Sequence, residues 1–179
     1  MYELHFDALF RNAQVDNCAG VMCIGWLVHK NSNLVAQGYG ITARGMDATS
    51  NVAEYVALID GLQALMDMGL NEEPITIIGD AKAVINQMKG TAKVNSERIL
   101  PMHRKAMQLV YLLNIVAWEW VPRGLNKDAD LLSRRALREF RADPNYCQKV
   151  WTEVQRDYKA GRDRLRTFGG MMILQPQVN

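Results

Sequence analysis

Cysteine, histidine and long apolar runs are what this chain has least of. Cys18, Cys23 and Cys147 are its only cysteines, an odd number with no C-x-x-C pair. No zinc site is therefore expected, and the thiols read as small buried or half-buried side chains. His5, His29 and His103 lie far apart along the chain and match no ligand spacing. The longest apolar runs are strand-length, so none spans a membrane. The first residues carry Glu3, His5 and Asp7, with no basic region ahead of an apolar core. No signal peptide is read there, and a cytoplasmic protein is expected. Internal repeats and low-complexity tracts are absent.

What is present is the composition of one folded domain. The 179 residues suffice for a sizeable core, and 49% apolar against 22% charged residues is ordinary for a soluble fold. The net charge of +2 conceals a gradient. Residues 141–179 hold seven Lys/Arg and four Asp/Glu, whereas the other 140 residues hold 14 and 15. Between Lys82 and Arg135, ten Lys/Arg stand against four acids. Such a basic neighbourhood suits a polyanion.

Alternation and branched or aromatic residues predict strands in YELHFDALF, VMCIGWLVHK and LVAQGYGITA, the last two joined by an Asn31-Ser32-Asn33 turn. Helical spacing follows: Thr49 or Ser50 caps a helix whose face carries Val52, Tyr55, Val56, Ile59, Leu62 and Leu65, and Gly69 ends it. ITIIG is apolar on both faces and reads as a buried central strand. AKAVINQMKG predicts a short helix, SERILPMHRKAMQLVYLL a helix interrupted at Pro101, IVAWEWV a strand and NKDADLLSRRALREF a last helix. The order β-β-β-α-β-α-α-β-α predicts an α/β fold: a mixed five-stranded sheet, three strands antiparallel then two parallel, flanked by helices. The predicted division is a domain over residues 1–140 and an extension over residues 141–179.

Four acids stand out because each lies on or just after such an element: Asp7, Glu54, Asp80 and Asp130. A strand end delivers its side chain to the rim of a sheet. Four carboxylates converging there would bind hard divalent cations, and a pair of bridged cations is a device for hydrolysing a phosphodiester. A metal-dependent nuclease is the leading inference.

The segments TSNVAEYVALIDGL, GDAKAVINQMKGTAKV, SERILP and VPRGLNKDADLLSRRAL, in this order, resemble type 1 ribonuclease H, nearest to its archaeal-like and plant-like branch. The resemblance runs from residue 2 to about residue 140. It implies that Asp7, Glu54, Asp80 and Asp130 bind two Mg²⁺, with Mn²⁺ as a substitute, and that the RNA strand of an RNA–DNA hybrid is cut to 5′-phosphate and 3′-hydroxyl ends. It implies further that Ser50, Asn51, Ala81 and Lys82 meet the minor groove and that Lys89 and Lys93 meet phosphates of the DNA strand. Many family members carry a histidine before the last helix; here Arg123 occupies that place, suited to steering phosphate rather than to acting as a base. Asn126 is read as the N-cap of the last helix.

The departures from the family pattern lie mainly in the first hairpin. Ala8, Leu9 and Phe10 follow Asp7 where the family usually has Asp-Gly-Ser or Asp-Gly-Ala, and the turn is Asp16-Asn17-Cys18-Ala19-Gly20 rather than Asn-Pro-Gly. Leu9 and Phe10 are bulky, and are expected to reshape the surface that tests the 2′-hydroxyl. Ala81 lacks the hydroxyl usual after the third acid. The competing readings are a non-catalytic hybrid- or RNA-binding module, and a nuclease of the same fold acting on double-stranded RNA or branched DNA. The extension admits three readings: a docked helix burying Trp151 and Val154; a basic arm of Lys149, Arg156, Lys159, Arg162, Arg164 and Arg166 on nucleic acid; and a dimer contact through Met171-Met172-Ile173-Leu174. A monomer is expected, with that dimer as the alternative.

Overall fold

A computed structural model describes residues 1–11, 21–43, 49–146, 148, 149, 152 and 168–173. Alternation gives β1 (Tyr2–Arg11) two distinct faces. Tyr2, Leu4 and Phe6 enter the main core, whereas Asp7 and Leu9 turn to the opposite side. β2 (Val21–Lys30) returns antiparallel to β1, and β3 (Asn33–Ala43) pairs antiparallel with β2. Between β2 and β3, Asn31 and Ser32 take φ of 50° and 68°, the paired positive values of a type I′ turn, which matches the twist of the strands.

α1 (Ser50–Asp67) starts at Thr49, whose Oγ1 accepts the Val52 N–H at 3.2 Å. The apolar face expected for this helix is buried throughout. Gly69, at φ 71°, closes it: the Gly69 and Leu70 N–H groups donate to the Met66 and Leu65 carbonyls. β4 (Ile75–Gly79), buried at every residue, runs parallel to β1, and β5 (Ile115–Trp120) runs parallel to β4. α2 (Lys82–Met88) and α3 (Leu100–Tyr111) connect these two strands. The expected interruption at Pro101 is not found. Pro101 stands in the first turn of α3, where a residue without an N–H forfeits no helical bond. A 3-10 turn at Arg123–Leu125 leads into α4 (Lys127–Ala142).

The strand order is β5-β4-β1-β2-β3-β6. The first five strands form the expected mixed sheet, and β6 (Phe168–Ile173) adds a sixth. β6 pairs antiparallel with β3, Ile173 opposite Ala36 and Phe168 opposite Ile41. Gly169 and Gly170 therefore lie inside a strand. The outer edge of β3 would otherwise present a row of open N–H and C=O groups; the apolar tail satisfies them within its own sheet. Residues 144–146, 148, 149 and 152 of the extension are helical. Cys18 and the rest of the first-hairpin turn, Cys147, Trp151, Val154, the arginines and lysine between Arg156 and Arg166, and Leu174 lie outside the described residues. Among the described residues no helix is long and apolar enough to cross a membrane.

Helices cover both faces of the sheet. α1 packs on β1 and β2 with α3 behind it, while α4 lies across β1, β2 and β3 on the other face. There Leu9, Val21, Cys23 and Ile41 meet Ala136, Leu137 and Phe140. Burial pushes the Cys23 thiol up to about 12, so it stays protonated and packs as an apolar group. Gly25 sets how closely α4 approaches. A Cβ at Gly25 would lie 2.6 Å from the Ser133 nitrogen and 2.7 Å from the Ala129 carbonyl oxygen. The helix thus rests on bare backbone, directly across from Asp7 in the β1–β2 register.

Gly25→Ala is expected to destabilise the fold by about 1–3 kcal/mol through overpacking. The check is a urea unfolding curve: a lowered midpoint at constant slope is expected, and an unchanged midpoint would contradict this close seat of α4.

Candidate functional site

The last parallel pair between β1 and β4 is Phe6 with Gly79. β4 stops there while β1 runs on, so Asp7 and Asp80 are the next residues beyond the shared edge. Asp7 accordingly stands inside β1, not after it; the strand that ends beside it is β4. Glu54 reaches the same point from the second turn of α1. One carboxylate oxygen from each of Asp7, Glu54 and Asp80 falls in a group whose members all lie within 4.8 Å of one another. Glu54 Oε2 is buried there with no hydrogen-bond partner.

Such crowding disfavours ionisation. Burial pushes the Asp7 carboxyl up to about 6; the Ser133 hydrogen bond works against this, and the charges of Asp80 and Asp130 add to it. Burial, then the charges of Asp7 and Asp80, raise Glu54 well above the usual carboxylate range, opposed by a backbone hydrogen bond at Ala8 and by Arg123. Three acids at one point, one with an orphaned buried oxygen, form a donor set suited to hard divalent cations.

Asp130 is not one of the three. It lies near enough for its charge to act on Asp7, but both its oxygens are engaged. Arg123 Nη2 donates to Oδ1, and Arg134 Nε donates to Oδ2 at 2.5 Å. Burial alone would raise Asp130; the hydrogen bonds and charges of Arg134 and Arg123 prevail and hold it below the usual range.

Asn126 occupies the N-cap position of α4, yet its side chain makes no cap hydrogen bond. The helix start is held by backbone, the Asp130 N–H donating to the Asn126 carbonyl at 3.1 Å. The buried Asn126 Nδ2 instead donates to the Phe6 carbonyl at 2.8 Å, where β1 outruns β4. Ser133 adds a second tie, donating from Oγ to Asp7 Oδ2 at 2.6 Å. Its only sequence signal is a small hydroxyl, three residues after Asp130, on the apolar face of α4. His5 also lies beside the Asn126 side chain, so the fold brings a histidine to a loop that has none nearby in sequence.

The residues expected to contact substrate are exposed, apart from the half-buried Ala81. Ser50 and Asn51 open α1, Lys82 opens α2 beside Asp80, Lys89 follows the last residue of α2, and Lys93 lies four residues further on. Trp120, at the end of β5, is exposed beside Asp80 and Lys82, a neighbour that sequence reasoning passed over. Its Nε1 donates to the Asp80 carbonyl at 2.9 Å, and Lys82 Nζ lies 5.1 Å from its ring centre. Leu9 packs under α4, whereas Ala8 and Phe10 pack on the main core, so the bulky residues after Asp7 serve both hydrophobic clusters.

A sheet of this order, with acids where β1 passes the end of β4 and helices on both faces, defines the ribonuclease H class of folds. The family described as reverse transcriptase-like matches residues 9–136. The chain is 34% identical over 119 residues to ribonuclease HI of Halobacterium salinarum, covering 66% of this chain and 57% of that protein. It is 34% identical over 139 residues to a bifunctional protein of Mycobacterium tuberculosis, covering 75% of this chain and 36% of the relative. The crystal structure of RNase H1 from Halobacterium salinarum aligns with a TM-score of 0.66 at 29% identity, over 77% of this chain and 98% of that one. The N-terminal RNase H domain of the mycobacterial protein aligns with a TM-score of 0.64 at 28% identity, over 78% and 96%. The chain belongs to the reverse transcriptase-like family and, within it, to the type 1 ribonuclease H group. It spans about a third to a little over half of the length of these two curated relatives.

The raised carboxyls give the site a pH signature. Asp7 has an ordinary value of 3.8 when unfolded and about 6 when folded, so between these values the folded state holds the extra proton. Without divalent cations, Asp7 should remove stability as pH rises from about 4 to about 6, by about 3 kcal/mol at about 1.4 kcal/mol per pH unit. Glu54→Gln removes one of the repelling charges and is expected to raise the melting temperature of the metal-free protein at pH 7. A lower melting temperature in that variant would contradict the electrostatic account.

Proposed function

We propose that this protein is an endonuclease that hydrolyses the RNA strand of RNA–DNA hybrids by two-metal-ion catalysis, leaving 5′-phosphate and 3′-hydroxyl ends. The observation that carries the reading is the convergence of Asp7, Glu54 and Asp80 around a buried, unpartnered carboxylate oxygen. A binding module has no evident use for three mutually repelling acids. When bound, two Mg²⁺, or Mn²⁺ in their place, would supply a water of lowered pKa and positive charge at the departing 3′-oxygen.

Asp7, held by Ser133, would be a ligand to these ions together with Glu54 and Asp80. Asp130, whose oxygens are held by Arg123 and Arg134, would be the fourth ligand. Arg123 turns to the phosphate and helps product leave, a task that suits a permanent charge. Ser50, Asn51 and Lys82 read the minor groove, where the 2′-hydroxyl marks the RNA strand. Lys89 and Lys93 follow the phosphates of the DNA strand, contacts that fix position without reading sequence.

The test is cleavage of a labelled hybrid with Mg²⁺, beside RNA–RNA, DNA–DNA and single-stranded substrates, with and without chelator. Chelator-sensitive cutting of the hybrid's RNA strand is expected, and no cutting by a folded protein with either metal would refute the proposal. Asp80→Asn is expected to abolish cleavage while hybrid binding persists. Arg123→Ala is expected to slow turnover by about tenfold or less, near 1.4 kcal/mol in the barrier. A loss as complete as that of Asp80→Asn would give Arg123 a different role.

A further inference from the structure

Among the described residues, a second cluster of metal-ligating side chains lies outside the acid site. Glu3 and His5 are two residues apart on β1 and so project from the same face of the sheet. The β1–β2 register sets His29 directly opposite Glu3, and His5 opposite Leu27. The hairpin thereby joins two histidines that sequence spacing left unrelated. One ligand atom from each of Glu3, His5 and His29 falls within 4.8 Å of the others. His5 Nε2 lies 3.8 Å from Glu3 Oε2, and the two imidazole rings stand 5.4 Å apart at 82°. All three residues are half-buried, so the strands restrict their side chains while solvent still reaches them.

We propose that Glu3, His5 and His29 form a site for a zinc-class divalent cation, separate from the acid site. Two imidazoles and one carboxylate are a borderline-soft donor set, chosen by Zn²⁺ over Mg²⁺, which prefers oxygen. Three protein ligands leave a further position for water. The site would lie roughly 7 Å along β1 from Asp7, at about 3.4 Å per residue. His5 lies beside Asn126, so a bound cation would link β1 and β2 to the start of α4. This inference does not rest on the nuclease reading.

The test is Zn²⁺ titration of the whole chain in excess Mg²⁺, followed by calorimetry and by melting temperature. The variants are His29→Ala, the closer-shaped His29→Asn and Glu54→Gln. One equivalent of Zn²⁺ should bind and raise the melting temperature of the unmodified chain and of Glu54→Gln. Both His29 variants should lose the melting shift and bind Zn²⁺ about tenfold or more weakly. Co²⁺ in place of Zn²⁺ should give visible absorption bands that either His29 variant abolishes. The proposal is overturned if the Zn²⁺ shift survives in both His29 variants, if it disappears in Glu54→Gln, or if Zn²⁺ produces no shift at all.

Discussion

The close seat of α4 on the β1–β2 backbone is the constraint on which the site depends. Gly25 has no side chain, so the helix comes down until Ser133 lies within hydrogen-bonding reach of Asp7. Asn126 makes a second tie at the start of the same helix, to the Phe6 carbonyl. These two bonds bracket Asp7 on its strand and bring Asp130 close to it. A helix held an ångström further out would lose both, because hydrogen bonds weaken steeply beyond about 3.5 Å. The glycine is therefore a site residue in its effect, although it offers no chemistry of its own.

Opposing charges then divide the site into two parts. Asp7, Glu54 and Asp80 crowd together, and the first two resist ionisation. Asp130 is drawn the other way by Arg123 and Arg134. The fold thus keeps three acids together at a cost in stability while parking the fourth on two guanidiniums. A site that destabilises its own empty form gains most when cations bind, since their charge relieves the repulsion that burial intensifies.

The strand edges show a related economy. β4 stops short of β1, and the carbonyl of Phe6 at that step is taken up by Asn126. On the far side of the sheet, β6 takes up the open edge of β3. In each case an unpaired backbone group finds a partner from a segment distant in sequence, as buried or edge polar groups must.

Much of this was legible in the chain itself. Period-two and helical spacing marked the five core strands and four helices, Thr49 and Gly69 marked the ends of α1, and the order of the elements implied the mixed sheet. Asp7, Glu54 and Asp80 were legible because each lies on or beside an element whose end could be foreseen. What periodicity could not show was contact across the fold. Asn126 looked like a helix cap, because local sequence cannot reveal that a carbonyl 120 residues away lies closer to its amide. Ser133, Trp120 and Gly25 gain their roles only from neighbours delivered by other strands and helices. The histidines looked unrelated because the register that sets His29 beside Glu3 is a property of the paired hairpin. The sequence by itself determined the elements, their order and the acids, because these depend on local spacing and residue chemistry. Only the tertiary structure decided which side chains share a point in space, because pairing register and helix docking join residues far apart along the chain.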